Sequence, residues 1–173
     1  MLLFFRQVAS SEAPVKFHTA LDVSHVIKGR KDITGIEPLQ VDLAAESSDG
    51  EIIEVQGTLS TELDMTCSRC LKPLKHAVTA EFTERFKQSD DPETDMQAQD
   101  EDVDLEYVTG EKIDLVPYIE ETLLLNLPFA AVCKDTCKGL CPICGADRNE
   151  RECGCNTDKI DPRLAALGDF FKK

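Results

Sequence analysis

Eight cysteines are the residues of this chain whose type and spacing could do chemistry. Two form a CxxC pair in mid-chain, and six lie close together further on, with the spacings CxxxC, CxxxCxxC and CxC. Such spacings bring thiolates near enough to chelate a cation, and Zn²⁺ takes four of them tetrahedrally at about 2.3 Å each. The sequence therefore predicts one or two zinc ions bound by Cys67, Cys70, Cys133, Cys137, Cys141, Cys144, Cys153 and Cys155.

The mid-chain pair, Cys67 and Cys70, supplies only half of a tetrahedral site. We expect Cys133 and Cys137 to complete it, which leaves the last four cysteines as a compact second site. A division in which Cys137 joins the second group is the alternative. Four protein sulfurs leave no open coordination position, so both sites are predicted to be structural rather than catalytic.

Two-residue alternation of apolar and polar side chains predicts the strands that position these cysteines. The alternation is clearest over residues 53–65 and resumes over 78–86, which places the CxxC pair at the tip of a long hairpin. Further strands are predicted at residues 15–23 and 39–45, with weaker candidates at 2–8 and 105–109. Residues 32–38, which contain Gly35 and Pro38, are expected to form a connector.

A helix is predicted over residues 115–127, with Asp114 as its cap and Pro128 as its end, and a short terminal helix over 162–170. The fold class is therefore α+β, an antiparallel β-sheet of about five or six strands with one or two helices and a C-terminal cysteine-rich zinc-binding segment. We expect residues 1–130 to form the sheet and helix domain, and 131–173 the cysteine-rich segment and tail.

The formal charge of −14 is concentrated in one stretch, since nine acids and no base lie between Ser89 and Gly110. Residues 89–104 have few large apolar side chains and are predicted to be a flexible acidic loop. The overall charge argues against broad RNA binding, which depends on Lys and Arg displacing counterions. The acid-free cluster of Arg69, Lys72 and Lys75 is the candidate for a local RNA or partner contact, with a solvated basic turn as the alternative.

The sequence contains neither a signal peptide nor 18 consecutive apolar residues, so we expect a cytoplasmic protein without membrane contact. In a reducing compartment, paired cysteines are more often metal ligands or redox thiols than disulfides. The P-loop, GxGxxG, GxSxG and HExxH patterns are absent from the sequence. The prediction is a non-enzyme with no small-molecule substrate.

The ordered combination of these motifs resembles the YceD family, which is named for accumulation of large-subunit ribosomal RNA. The resemblance rests on LDMTCSRCL at residues 63–71, Ile113-Asp114-Leu115, Glu120-Glu121, Leu127-Pro128 and CKDTCKGLCPICG at residues 133–145. It implies a bacterial or organellar factor needed for normal levels of 23S ribosomal RNA, and it implies no catalytic residue.

We hypothesise that the protein serves ribosome biogenesis mainly through protein contacts, its acidic loop engaging a basic ribosome assembly protein or an RNA-processing enzyme. Any ribosomal RNA contact would then be weak and local. Two alternatives remain open. One is a thiol-redox protein that uses the Cys67 and Cys70 pair, although no adjacent βαβ pattern supports it. The other is a direct RNA-binding zinc module, which lacks the expected basic balance and aromatic platform.

Overall fold

A computed structural model of the chain describes residues 1–47, 50–92 and 105–156. Within these ranges the chain forms eight strands and two helices of five or more residues. The strands are β1 (Leu2–Phe4), β2 (Val15–Leu21), β3 (Ile33–Ile36), β4 (Leu39–Ser47), β5 (Ile52–Thr66), β6 (Pro73–Gln88), β7 (Glu106–Val108) and β8 (Lys112–Asp114). The helices are α1 (Phe5–Ala9) and α2 (Val116–Asn126). The α+β class is confirmed.

The main sheet has six strands in the order β2-β4-β5-β6-β7, and β3 also pairs with β5. Strands β2, β3 and β4 all pair antiparallel with their neighbours, as expected. The exception is β7, which pairs parallel to β6. A parallel partner requires a long crossover connection. Most of that connection, residues 93–104 of the acidic loop predicted over 89–104, lies outside the described residues.

Alternation of side chains about the sheet explains the core. Along β4 the residues Leu39, Val41, Leu43 and Ala45 are buried, while the polar residues Gln40 and Asp42 between them are exposed. The same period continues through β5 and β6, where Phe82 and Phe86 are among the largest fully buried side chains. The alternation thus buries one face of each long strand, as a half-buried sheet requires.

Helix α2 lies within the range predicted for it, and its buried residues are Ile119 and Leu123. The Asp114 carboxylate accepts the backbone N–H of Val116 at 3.1 Å, which satisfies one of the unpaired donors at the start of the helix. The ring of Tyr118 meets the buried Phe86 edge to face, with centroids 5.0 Å apart.

Three short segments differ from the prediction, and one of them is β8, where the sequence predicts no strand. The connector predicted over residues 32–38 contains β3. This strand pairs with residues 63–65 of β5, whereas β4 pairs with residues 53–60 of β5. Pro38 interrupts what is otherwise one long partner of β5, because it has no N–H to donate; the neighbouring Glu37 N–H still donates to the Glu62 carbonyl at 2.9 Å. The weak strand at residues 2–8 is a strand only to Phe4, and α1 follows. The helix predicted over 162–170 lies outside the described residues.

The chain divides into two compact units. The sheet unit comprises Met1–Met65 and Lys75–Phe129, and the cysteine unit comprises Thr66–Leu74 together with the chain from Ala130 onward. The domain boundary predicted at residue 130 stays a prediction. Neither helix of the described ranges has the length and apolar character needed to span a bilayer.

Candidate metal centres

The first cluster consists of Cys67, Cys70, Cys133 and Cys137, whose Sγ atoms all lie within 4.8 Å of one another. The Sγ atoms of Cys67 and Cys137 are 3.9 Å apart, and those of Cys70 and Cys133 are 3.7 Å apart. Four sulfurs placed tetrahedrally at about 2.3 Å from one zinc would be separated by about 3.8 Å. The sulfur spacing therefore fits a tetrahedral cation site.

The second cluster consists of Cys141, Cys144, Cys153 and Cys155, with Sγ atoms again within 4.8 Å of one another. Among the described residues, these are the two groups of metal-ligating side chains that could hold an ion. Cys137 lies with the first cluster. The role of all eight cysteines as metal ligands stays a prediction.

Both clusters are built on the same backbone turn. In the first, the Leu71 N–H donates to the Cys67 carbonyl at 2.9 Å and the Cys67 N–H donates to the Lys72 carbonyl at 2.8 Å. In the second, the Gly145 N–H donates to the Cys141 carbonyl and the Cys141 N–H donates to the Ala146 carbonyl, both at 2.8 Å. This turn directs backbone N–H groups toward the first sulfur of each CxxC pair, an arrangement that stabilises thiolates.

The residue that follows each CxxC pair adopts a left-handed backbone conformation. Its φ is 71° at Gly145 and 60° at Leu71, the one non-glycine residue with a positive φ among those the structure describes. Glycine takes this conformation without strain, whereas a side chain with a Cβ does not. The turn at the first cluster therefore tolerates backbone strain that the second avoids.

The remaining ligands of the first cluster come from a segment tied to this turn by hydrogen bonds. The Ser68 N–H donates to the Ala131 carbonyl at 2.9 Å, and the Cys133 N–H points at the Cys67 sulfur at 3.4 Å. The partly buried side chains of Leu74, Val132 and Leu140 pack around the cysteines. Three of the four cysteines, Cys67, Cys70 and Cys137, thus pack against apolar side chains, and Cys133 is exposed.

The first cluster divides its thiols into two that ionise easily and two that do not. Burial raises the pKa of Cys67, but backbone N–H groups of Cys133, Cys70 and Arg69 outweigh it and lower that pKa to about 6. Cys133 is exposed as a residue, but desolvation of its thiol group, reinforced by the neighbouring sulfur of Cys137, raises its pKa to about 12. Four thiolates this close cannot all ionise unless a cation offsets their mutual repulsion.

In the second cluster, Cys141 and Cys155 have pKa values shifted in opposite directions. Backbone N–H groups of Cys144 and Ile143 lower the pKa of Cys141 to about 6. Hydrogen bonding with the thiols of Cys144 and Cys153 raises the pKa of Cys155 to about 12. Each cluster is therefore electrostatically suited to a divalent cation, which allows every sulfur to bind as a thiolate.

The burial of Cys67 and Cys70 argues against the thiol-redox alternative. Cys67 has 0% of its surface exposed and Cys70 has 5%. A thiol that attacks a substrate disulfide must be accessible, since the reaction proceeds through a mixed disulfide. Cys67 thus combines a low pKa with a buried position. This combination suits a metal ligand better than a nucleophile.

The three basic residues proposed from the sequence already have partners within the chain. The Arg69 guanidinium donates to the carbonyls of Asp135 and Cys137 at 3.1 and 3.0 Å. The Lys72 ammonium lies 2.9 Å from Asp147 and 2.7 Å from Glu150. In the sheet unit, the Lys75 ammonium pairs with Glu62 and Asp64. Folding thus brings carboxylates to Lys72 and Lys75, although the sequence around them contains no acid. The proposed RNA or partner contact stays a prediction.

Two residues of this region make contacts that the sequence does not indicate. Gly139 has a φ of 69°, and a Cβ there would lie 2.8 Å from the Arg69 carbonyl oxygen. Asn149 directs its side-chain amide at the Cys137 sulfur, at 3.5 Å. Gly139 lies between Cys137 and Cys141 in sequence, and Asn149 lies between Cys144 and Cys153. Only the fold shows what they contact.

Comparison with known proteins decides the family. A sequence profile described as large ribosomal RNA subunit accumulation protein YceD matches residues 55–171. The chain belongs to the YceD family. The family is thus one named for accumulation of large-subunit ribosomal RNA, and the matched region includes both cysteine clusters.

Several relatives of this YceD-family chain are known by sequence. An uncharacterized protein of Mycobacterium bovis is 36% identical over 133 residues, which cover 77% of this chain and 62% of that protein. The uncharacterized protein YlbN of Bacillus subtilis is 27% identical over 161 residues, or 91% of this chain and 88% of YlbN. The chloroplastic large ribosomal RNA subunit accumulation protein YCED homolog 1 of Arabidopsis thaliana is 34% identical over 59 residues, or 34% of this chain and 18% of that protein.

The chain therefore spans less than two thirds of the length of the mycobacterial relative it matches. No solved structure matches the chain.

The turn geometry yields a test. Replacing Gly139 by Ala should destabilise the cysteine unit more than replacing Gly145 by Ala, because both residues have left-handed φ but only Gly139 lacks room for a Cβ. The left-handed conformation alone should cost about 1–2 kcal/mol in each variant. Thermal unfolding of the two metal-loaded variants provides the comparison, and equal losses would contradict the close approach of Gly139 to Arg69.

Proposed function

We propose that this protein is a non-catalytic zinc-binding factor that supports the accumulation of large-subunit (23S) ribosomal RNA in the bacterial cytoplasm, acting mainly through protein contacts. The observation that carries the zinc assignment is the sulfur geometry of the two clusters, with separations of 3.7 and 3.9 Å in the first. The YceD family membership supports the ribosomal role.

The donor set favours zinc and a structural role. Four thiolates in tetrahedral arrangement suit Zn²⁺ or iron, and they leave no position for a substrate or a reactive water. When bound, each ion would supply a crosslink, and the ion at the first cluster would link distant parts of the chain. The residues of the chain would supply the eight sulfurs, the N–H groups directed at them and an apolar surround.

The composition of the cysteine unit gives a reason why it would need such crosslinks. Its buried apolar residues, among those described, are Cys67, Cys70, Ala131, Cys137 and Cys141. Four of these five are cysteines, so little ordinary hydrophobic burial is available to stabilise the unit. Small folds of this kind commonly depend on a structural metal.

Metal analysis tests the zinc assignment. Protein purified under reducing conditions should contain two zinc ions per chain, and its thiols should react with a thiol reagent only after a chelator is added. Acidification should release the metal, because protons compete with zinc for the thiolates. Zinc-free protein with eight reactive thiols and an unchanged fold would exclude the assignment.

Paired variants provide the control for this measurement. Changing Cys67 and Cys70 to Ser should remove one zinc ion, and changing Cys141 and Cys144 to Ser should remove the other. A variant that retains two ions would show that the ligands are divided differently.

Three observations support protein contacts over broad RNA binding. The chain carries a formal charge of −14, and zinc bound by four thiolates would add further negative charge. The cationic groups of Lys72 and Lys75 are paired with carboxylates. The guanidinium of Arg69 is engaged by backbone carbonyls. We therefore propose a basic ribosomal assembly protein or an RNA-processing enzyme as partner, captured by the acidic stretch of the sequence.

Neutralising that acidic stretch tests the partner assignment. Asn or Gln in place of the eight acids between Asp90 and Asp104 should weaken capture of purified large-subunit ribosomal proteins. The loss should be greatest at low salt, because screening weakens the wild-type interaction as ionic strength rises. A variant with eight exposed acids neutralised elsewhere is the control, and equal capture by all three proteins would refute the proposal.

The same material tests the RNA-binding alternative. Affinity for large-subunit RNA fragments is measured across a salt series, since direct phosphate contacts give a steep dependence on salt. Tight binding with a steep slope would replace the protein-contact proposal with an RNA-binding one.

Cells lacking the gene test the ribosomal role itself. They should have a lower ratio of 23S to 16S ribosomal RNA, and the wild-type gene should restore it. Genes carrying the Cys67 and Cys70 double change should fail to restore the ratio at equal protein level. An unaltered ratio in the deletion strain would contradict the proposed role.

A further inference from the structure

The stretch between two ligands of the second cluster contacts the first cluster. Asn149 lies between Cys144 and Cys153 in sequence, yet its side-chain Nδ2 is 3.5 Å from the Sγ of Cys137. Since Cys137 belongs to the first cluster, a stretch bounded by ligands of the second cluster contributes a side-chain contact to the first.

The orientation of the Asn149 amide is determined by its other hydrogen bonds. Its Oδ1 accepts the backbone N–H of Lys138 at 2.9 Å, which requires the oxygen to face that N–H. Its Nδ2 also donates to Asp147 Oδ1 at 2.7 Å, and that oxygen accepts the Asn149 backbone N–H at 2.8 Å. With the oxygen committed, the NH₂ group is the one presented to sulfur.

A second contact holds the same stretch to the first cluster. Lys72 lies two residues after Cys70, and its ammonium lies 2.9 Å from Asp147 and 2.7 Å from Glu150. The contact with Asp147 places a cation beside the carboxylate that orients Asn149.

Backbone pairing completes the connection between the clusters. Leu140, which directly precedes Cys141, forms an antiparallel bridge with Asp147. The Arg148 N–H donates to the Gly139 carbonyl at 2.9 Å. The chain from the last ligand of the first cluster to the first ligand of the second is therefore paired with the stretch that carries Asn149.

We infer that Asn149 is a positioning residue for the first metal centre, and that through it the two centres bind metal cooperatively. This inference rests on the proposed zinc binding. An N–H donated to a bound thiolate orients the ligand and reduces its negative charge, as outer-shell groups do in metal sites. Metal at the second cluster would order the stretch that presents this N–H, so each ion would favour the other.

Replacing Asn149 by Ala tests the positioning role. The metal affinity of the first cluster should fall about 10- to 100-fold, the usual effect of losing an outer-shell partner. Cadmium NMR provides a readout beyond affinity, because each bound ion gives its own resonance and only that of the first cluster should shift substantially. Glu152→Ala, an exposed change in the same stretch, is the control and should leave both resonances in place.

A second variant separates donation to sulfur from support of the backbone. Asn149→Asp keeps an oxygen for the Lys138 N–H but has no NH₂ to offer the sulfur. The inference predicts a loss of affinity at least as large as in Asn149→Ala. Wild-type affinity in Asn149→Asp would overturn it.

Cooperativity is tested by disabling the second cluster with Cys153→Ser and Cys155→Ser. The first cluster should then bind cadmium more weakly, and the additional loss should be smaller when Asn149 is already Ala. An unchanged affinity of the first cluster, or an equal loss in both backgrounds, would overturn the coupling through Asn149. Circular dichroism on each loaded variant establishes that the sheet unit remains folded.

Titration of the wild-type chain with metal distinguishes a failure of the proposed zinc binding from a failure of the proposed role of Asn149. If the wild-type chain binds no cadmium or zinc, the proposed function fails and the inference with it. If it binds two ions and the Asn149 variants behave as wild type, only the inference fails.

Discussion

The close approach of thiol groups is the constraint on which the cysteine unit depends. Four sulfurs within 4.8 Å of one another repel as thiolates, and the structure places two such groups in one small unit. In place of a hydrophobic core, that unit buries mainly cysteines. A cation at each cluster would convert this repulsion into the main stabilising interaction. The cation at the first cluster would also join Cys70 to Cys133, which are 63 residues apart in sequence.

Most of the sheet was predictable because its strands are buried on one face, which imposes a two-residue period on the sequence. What alternation cannot show is pairing partner and direction. Strand β3 was missed because Gly35 and Pro38 resemble a connector, although its residues pair with the far end of β5. The parallel pairing of β7 with β6 depends on a crossover that leaves no periodic signal.

For the candidate sites, the sequence predicts the ligands but not the residues that surround them. Cysteine spacing indicates chelation because neighbouring ligands must lie close in sequence, and it left the placement of Cys137 open between two groups. Contacts made across the fold were not accessible. The carboxylates that pair with Lys72 lie more than 70 residues away, and Asn149 has no distinguishing feature until its amide is seen beside a sulfur.

X-ray absorption at the zinc edge of the purified protein tests the central claim most directly. If both sites bind zinc as proposed, each ion has four sulfur neighbours at about 2.3 Å and no nitrogen or oxygen ligand. A spectrum dominated by nitrogen or oxygen neighbours, or protein that folds normally with no zinc to measure, would contradict it.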